Sequence, residues 1–144
     1  MPEPYCLAMV LCDAVYRDAT TGKFTLLGTF STVGAASYPA KVRFSVYFAV
    51  TDGLGPTGLR LRLVDAAAGI ADRSSPAAEG PVFEITADLS FDDPLEVFES
   101  VVGIETTLPK PGLYHCELLA NDELLMSRRL LAVQHGDEQE SSDV

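Results

Sequence analysis

The stretch Leu108–Val133, LPKPGLYHCELLANDELLMSRRLLAV, decides the fold of this chain. Pro109-Lys110-Pro111-Gly112 is a corner that stops a preceding strand. Leu113–Ala120 and Glu123–Val133 alternate as strands, and Asn121-Asp122 between them is a two-residue turn whose residues tolerate positive φ. An antiparallel hairpin with one apolar face must cover that face, and a second sheet is the usual cover. The hairpin therefore predicts a sandwich, and it carries no chemistry of its own.

Working outward, period-two alternation recurs in short segments divided by turn residues, and no window shows a 3.6-residue apolar stripe of ten or more residues. Strands are predicted over Tyr5–Cys12, Lys23–Val33, Lys41–Thr51, Thr57–Val64, Ile70–Arg73, Pro81–Ser90 and Leu95–Thr107, besides the two of the hairpin. Leu59, Leu61 and Leu63 share one face and Arg60 and Arg62 the other. Phe83, Ile85, Ala87 and Leu89 likewise oppose Glu84, Thr86 and Asp88. Cys6–Cys12 and Val46–Val50 are apolar on both faces, so they are central strands or they meet another protein. The expected fold is all-β, an antiparallel two-sheet β-sandwich of the immunoglobulin-like kind with about 8–9 strands.

Length sets the domain count. The chain has 144 residues, enough for one core without staples. Residues 1–134 are expected to form a single domain. His135–Val144 reads as an acidic disordered tail, because it holds one apolar residue and cannot repay the entropy of ordering. Arg73–Gly80 has the composition of an exposed loop, and Ala66-Ala67-Ala68 allows at most a helical turn.

Charge and cysteine usage exclude several classes. The formal net charge is -11, and the body stays acidic without the tail, which disfavours nucleic acid as a partner. No apolar run approaches the roughly 20 residues that span a bilayer, and no basic residue precedes Arg17. A cytoplasmic location is the expectation. Cys6, Cys12 and Cys116 make an odd number with no close-spaced pair, so they read as buried thiols in a reducing compartment.

Gly112-x-Tyr114-x-Cys116 matches the end of an immunoglobulin-like corner, in which a tyrosine turns its hydroxyl back onto upstream backbone. The chain has no Trp, and no Cys stands about 60 residues before Cys116. Only the general sandwich carries over. Four further stretches are Leu11-Cys12-Asp13, Gly22–Phe30, Leu59–Asp65 and Pro111–Leu125. Through them the chain resembles a family of small bacterial proteins catalogued only as a domain of unknown function. That resemblance implies a β-sandwich and supplies no activity, ligand or catalytic residue.

Candidate sites are few. Arg60, Arg62, Arg128 and Arg129 would form a cationic strip for an anionic ligand or a partner if their strands share a sheet face; the alternative is a salt-bridged surface. Asp88, Asp92, Asp93 and Glu96 bracket a loop and are the candidates for a metal, calcium in particular, although Asp also begins turns by bonding its own backbone. His115 faces away from Cys116, and no Gly-x-Ser-x-Gly elbow exists, so no catalytic residue is assigned. No cofactor is expected. Tyr16, Tyr38 and Phe91 are the loop aromatics available to a carbohydrate. The leading expectation is a non-catalytic binding or assembly module of the bacterial cytoplasm, with a protein partner or self-association. A small hydrolase with a loop-borne site, or a calcium- or carbohydrate-binding module, is the alternative.

Overall fold

The computed structural model describes residues 3–66 and 80–135. They form nine strands: β1 (Tyr5–Arg17), β2 (Phe24–Thr29), β3 (Thr32–Ala35), β4 (Ala40–Thr51), β5 (Gly55–Asp65), β6 (Phe83–Phe91), β7 (Val97–Leu108), β8 (Gly112–Ala120) and β9 (Glu123–Gln134). The expectations over Ile70–Arg73, most of Arg73–Gly80, Ala67-Ala68 and the tail beyond His135 fall outside the described residues.

Two sheets face each other, one ordered β2-β1-β4-β7 and the other β3-β9-β8-β5-β6. The fold is an all-β sandwich. β1 and β4 are interior strands of the first sheet, which explains why Cys6–Cys12 and Val46–Val50 are apolar on both faces. Met9, Leu11, Phe44 and Val46 from the first sheet meet Leu61, Leu63, Leu118 and Leu130 from the second in one core. Each of those eight side chains keeps under a twentieth of its surface in water. Truncating such a leucine to alanine costs about 2–5 kcal/mol.

The hairpin is as its sequence reads. Asn121 and Asp122 carry φ of 49° and 68°, the left-handed pair that a two-residue turn demands. Asn121 Oδ1 also accepts the Gly58 N–H at 2.9 Å, fixing the turn to the start of β5.

One expected strand, Lys23–Val33, is in fact two. Alternation runs unbroken through it, yet the chain changes sheets within two residues. The Phe30 N–H donates to the Leu11 carbonyl of β1 at 3.2 Å, whereas the Ser31 carbonyl accepts the Leu131 N–H of β9 at 2.8 Å. A second consequence corrects the antiparallel expectation locally. Having crossed over, β3 runs parallel to β9, with Thr32 opposite Leu131; among the described residues every other strand pair is antiparallel.

Candidate functional site

The four arginines do not make one strip. Leu59, Leu61 and Leu63 turn inward on β5, so Arg60 and Arg62 lie on the outer face of the second sheet, as expected. Their charges are matched there by neighbouring strands. Arg62 Nε donates to Glu117 Oε1 at 2.9 Å, and Arg60 lies 3.7 Å from Glu84 and 3.4 Å from Asp122. Glu117 is completely buried although it belongs to that outer row. A carboxylate removed from water needs such a partner, because its desolvation costs several kcal/mol.

Arg128 and Arg129 are consecutive on β9 and therefore project to opposite sides. Arg128 shares its register position with core-facing Cys116, and its Nε donates to the Met9 carbonyl at 2.8 Å, pinning β9 to β1 across the sandwich rim. Arg129 pairs in register with His115 on the outer face. Both border an open cleft of about 670 Å³ beneath the β2-to-β3 crossover, together with Thr29, Ser31 and Ser127.

The acidic quartet is divided in the same way. Asp93 Oδ1 accepts the Leu95 N–H at 2.9 Å, and Glu96 Oε1 accepts the N–H groups of Asp92 and Asp93 at 2.6 and 3.1 Å. Those carboxylates hold the β6–β7 turn, where the Thr51 hydroxyl also donates to the Glu96 carbonyl at 2.6 Å. Asp88 stands apart on the outer face of β6. Among the described residues no group of three or more His, Cys, Asp or Glu side chains is disposed to hold a metal. Of the loop aromatics, Phe91 is the last residue of β6 and is buried, with Gly53 so close that a Cβ there would overlap its ring. Tyr38 donates its hydroxyl to the Val133 carbonyl at 2.8 Å.

The thiols are poorly disposed for chemistry. Cys6, Cys12 and Cys116 are free and buried. Burial pushes the Cys116 thiol up to about 12, the neighbouring Glu117 charge adding to it, and burial raises Cys6 and Cys12 as well. A nucleophilic cysteine needs the opposite shift. His115 projects away from Cys116, as adjacent strand residues must.

The feature that the sequence did not single out lies on the flank formed by β6 and β7. These strands are consecutive in the chain but end different sheets, and among the described residues each has one unpaired edge. The Phe83-Ile85-Ala87-Leu89 row does face inward, opposite Leu63, Leu61, Leu59 and Thr57. Ile85 is nevertheless 45% exposed and Ala87 is exposed too, because the sheets part along this side and leave the inner row uncovered. The result is an apolar cleft of about 320 Å³. Its rims are Ile85 and Ala87 on β6 and Ser100 and Val102 on β7, and its floor is Phe48, Leu61 and Leu118. The Thr106 hydroxyl closes one end by donating to the Val82 carbonyl at 2.6 Å, and the β6–β7 turn closes the other.

Native sheets blunt a free edge by making it short, bulged, or studded with charged residues, Lys above all, and Pro. On the opposite flank the edge strands are short, β2 with six residues and β3 with four. Here β6 has nine and β7 twelve, with no Lys, Arg or Pro in either and with carboxylates, Glu84, Asp88, Glu99 and Glu105, as their charges.

With the geometry established, comparison with known proteins gives a family. Residues 7–133 match the family described as a family of unknown function, DUF6941. The chain belongs to DUF6941. No curated protein matches it. A crystal structure of an immunoglobulin-like protein from Pseudomonas aeruginosa is similar to it at 12% identity and a TM-score of 0.41, over 90% of this chain and 96% of that one. The immunoglobulin-like corner is present in this DUF6941 chain: the buried Tyr114 hydroxyl turns back onto the Lys110 carbonyl.

Leu11-Cys12-Asp13 and Gly22–Phe30 have structural roles in this DUF6941 member. Gly28 has φ of +70° and packs against Asp13 so tightly that any Cβ would collide with the carboxylate, joining Leu11-Cys12-Asp13 to the Gly22–Phe30 stretch. Asp18 Oδ2 accepts the Thr20 and Thr21 N–H groups at 3.2 and 2.7 Å, which shapes the turn before Phe24. Arg17 then lies over the Phe24 ring, 5.2 Å from its centroid.

Proposed function

We propose that this chain is a non-catalytic binding or assembly module of the bacterial cytoplasm, and that its contact surface is the β6–β7 flank. One observation carries the reading: Ile85 and Ala87 occupy the inner row of a sandwich strand and yet are exposed, beside two long strand edges with no partner among the described residues. Such an edge offers a row of N–H and C=O groups to an extended segment, while the apolar cleft offers pockets to its alternate side chains. Three buried thiols suit a reducing compartment.

The test is affinity isolation from the native host with the wild-type chain, with Ala87→Trp and with Arg129→Ala. The indole of the first variant fills the cleft without adding charge; the second removes a cation at the other flank. The expected result is a protein captured by the wild type and Arg129→Ala and lost by Ala87→Trp, with all three chains melting alike. Retention by Ala87→Trp would overturn the reading.

A further inference from the structure

The occupant of the β6–β7 cleft can be narrowed by charge and by pleat. Among the described residues β7 has an open edge, and its outward row there is Val97, Glu99, Val101, Gly103 and Glu105, opposite Thr51, Ala49, Tyr47, Ser45 and Arg43 of β4. Glu99 accepts a hydrogen bond from the Tyr47 hydroxyl, Glu105 has Arg43 as its register neighbour on β4, and among the described residues neither carboxylate is in an ion pair within 4 Å. Gly103 between them is open, with no atom within 4 Å of an added Cβ. Its inward row over the cleft is Phe98, Ser100 and Val102.

A strand added to β7 alternates in the same way. Its inward side chains would face Ile85 and Ala87 of β6 across the cleft, so they must be apolar. Its outward side chains would come level with Glu99 and Glu105, six residues or about 20 Å apart along the strand. Directly opposed like charges destabilise a sheet pair and opposite charges support it. We propose that the flank takes, by addition to β7, an extended segment of about seven residues from another protein, apolar at alternate positions and basic at the two outward ends. This rests on the binding-module reading above.

Two other occupants fit less well. A second copy pairing its β7 antiparallel about Val102 would set Glu99 of each copy against Glu105 of the other, between chains that each carry -11. The chain's own 136–144 stretch, GDEQESSDV, has no cation and one apolar residue. Neither supplies the apolar and basic pattern.

The experiment titrates the full chain, labelled for amide NMR, with three synthetic peptides: Lys-Val-Thr-Val-Thr-Val-Lys, the same with Glu at both ends, and a block isomer that breaks the alternation. The basic alternating peptide is expected to shift the amides of Ile85, Ala87 and residues 98–103. It should bind about tenfold or more tighter than the acidic one, and the advantage should shrink with salt. Glu99→Lys should narrow or invert that ratio while leaving the fold intact. If the acidic peptide binds equally at the same amides, the charge inference fails and strand addition stands. If the block isomer binds as well as the alternating peptide, strand addition fails. If no peptide moves those amides, or if sedimentation shows a dimer that Gly103→Lys abolishes, the proposed occupant is wrong. The capture test with Ala87→Trp then judges the module reading separately.

Discussion

The Tyr114 hydroxyl donates a 2.7 Å hydrogen bond to the Lys110 carbonyl four residues upstream, and the Tyr114 hydroxyl oxygen accepts the Lys110 N–H at 3.4 Å. The ring is 1% exposed and lies in the core above Leu130, its register partner on β9. This one side chain thus fixes the β7–β8 corner and fills volume between the sheets. Replacing it by Phe removes only the hydrogen bond and should cost about 1 kcal/mol. Replacing it by Ala also empties the ring's space and should cost about 3–5 kcal/mol. Denaturant melts of both variants measure the difference, and equal losses would mean that the ring is not in the core.

Arg62 and Glu117 give a second test of packing. Their contact is 2.9 Å, and the carboxylate is wholly buried. Arg62→Met withdraws a cation from a buried anion, a change that is strongly destabilising in such settings. Joining it with Glu117→Leu removes both charges together. The double variant is expected to lose less stability than Arg62→Met alone, and a double-mutant cycle of urea melts reads the coupling. Simple additivity would show that the pair does not act as a unit.

The alternation legible in the sequence settled which residues share a face. Leu59, Leu61 and Leu63 against Arg60 and Arg62 could be read directly, and so could the turn at Asn121-Asp122. Period two also implies that Arg128 and Arg129 face opposite ways. What alternation cannot carry is register between strands distant in the chain, so Glu117 was not visible as the partner of Arg62, 55 residues away. Nor does it say which strands end a sheet. The Ile85 and Ala87 row read as a buried face, and it is exposed where β6 and β7, among the described residues, come last in their sheets. The break at Phe30-Ser31 was hidden for a related reason: the residues keep their alternation while their hydrogen-bonding partners change.

The three thiols should be inert in the native protein. Since burial raises all three, Cys116 to about 12, native labelling at pH 8 with a maleimide is expected to add no groups within minutes, and labelling in denaturant to add three. Mass spectrometry counts them. Rapid native labelling of Cys116 would contradict its place between the sheets.

Alkaline stability follows from Tyr47. Loss of solvent, helped by its hydrogen bond to Glu99, pushes this phenol up from 10 to about 12. Because the folded value lies above the unfolded one, its stabilising contribution is complete below pH 10 and is lost as pH rises from 10 through 12. Tyr47→Phe should therefore flatten the fall in stability over that window while leaving its slope below pH 9 unchanged. Parallel melts from pH 8 to pH 12 check this. Identical slopes would mean that Tyr47 does not titrate with folding.

Among the described residues both strand edges of the β6–β7 flank are open, and amide hydrogen exchange on the full-length chain reads this most directly. In an open edge strand alternate N–H groups point to the neighbouring strand and the others to solvent. Along Phe83–Phe91 and Val97–Leu108 the account predicts alternation, with every second amide exchanging fast, while β4 and β8 are protected throughout. Unbroken protection along β7 would show that its edge is already paired, and would contradict the account.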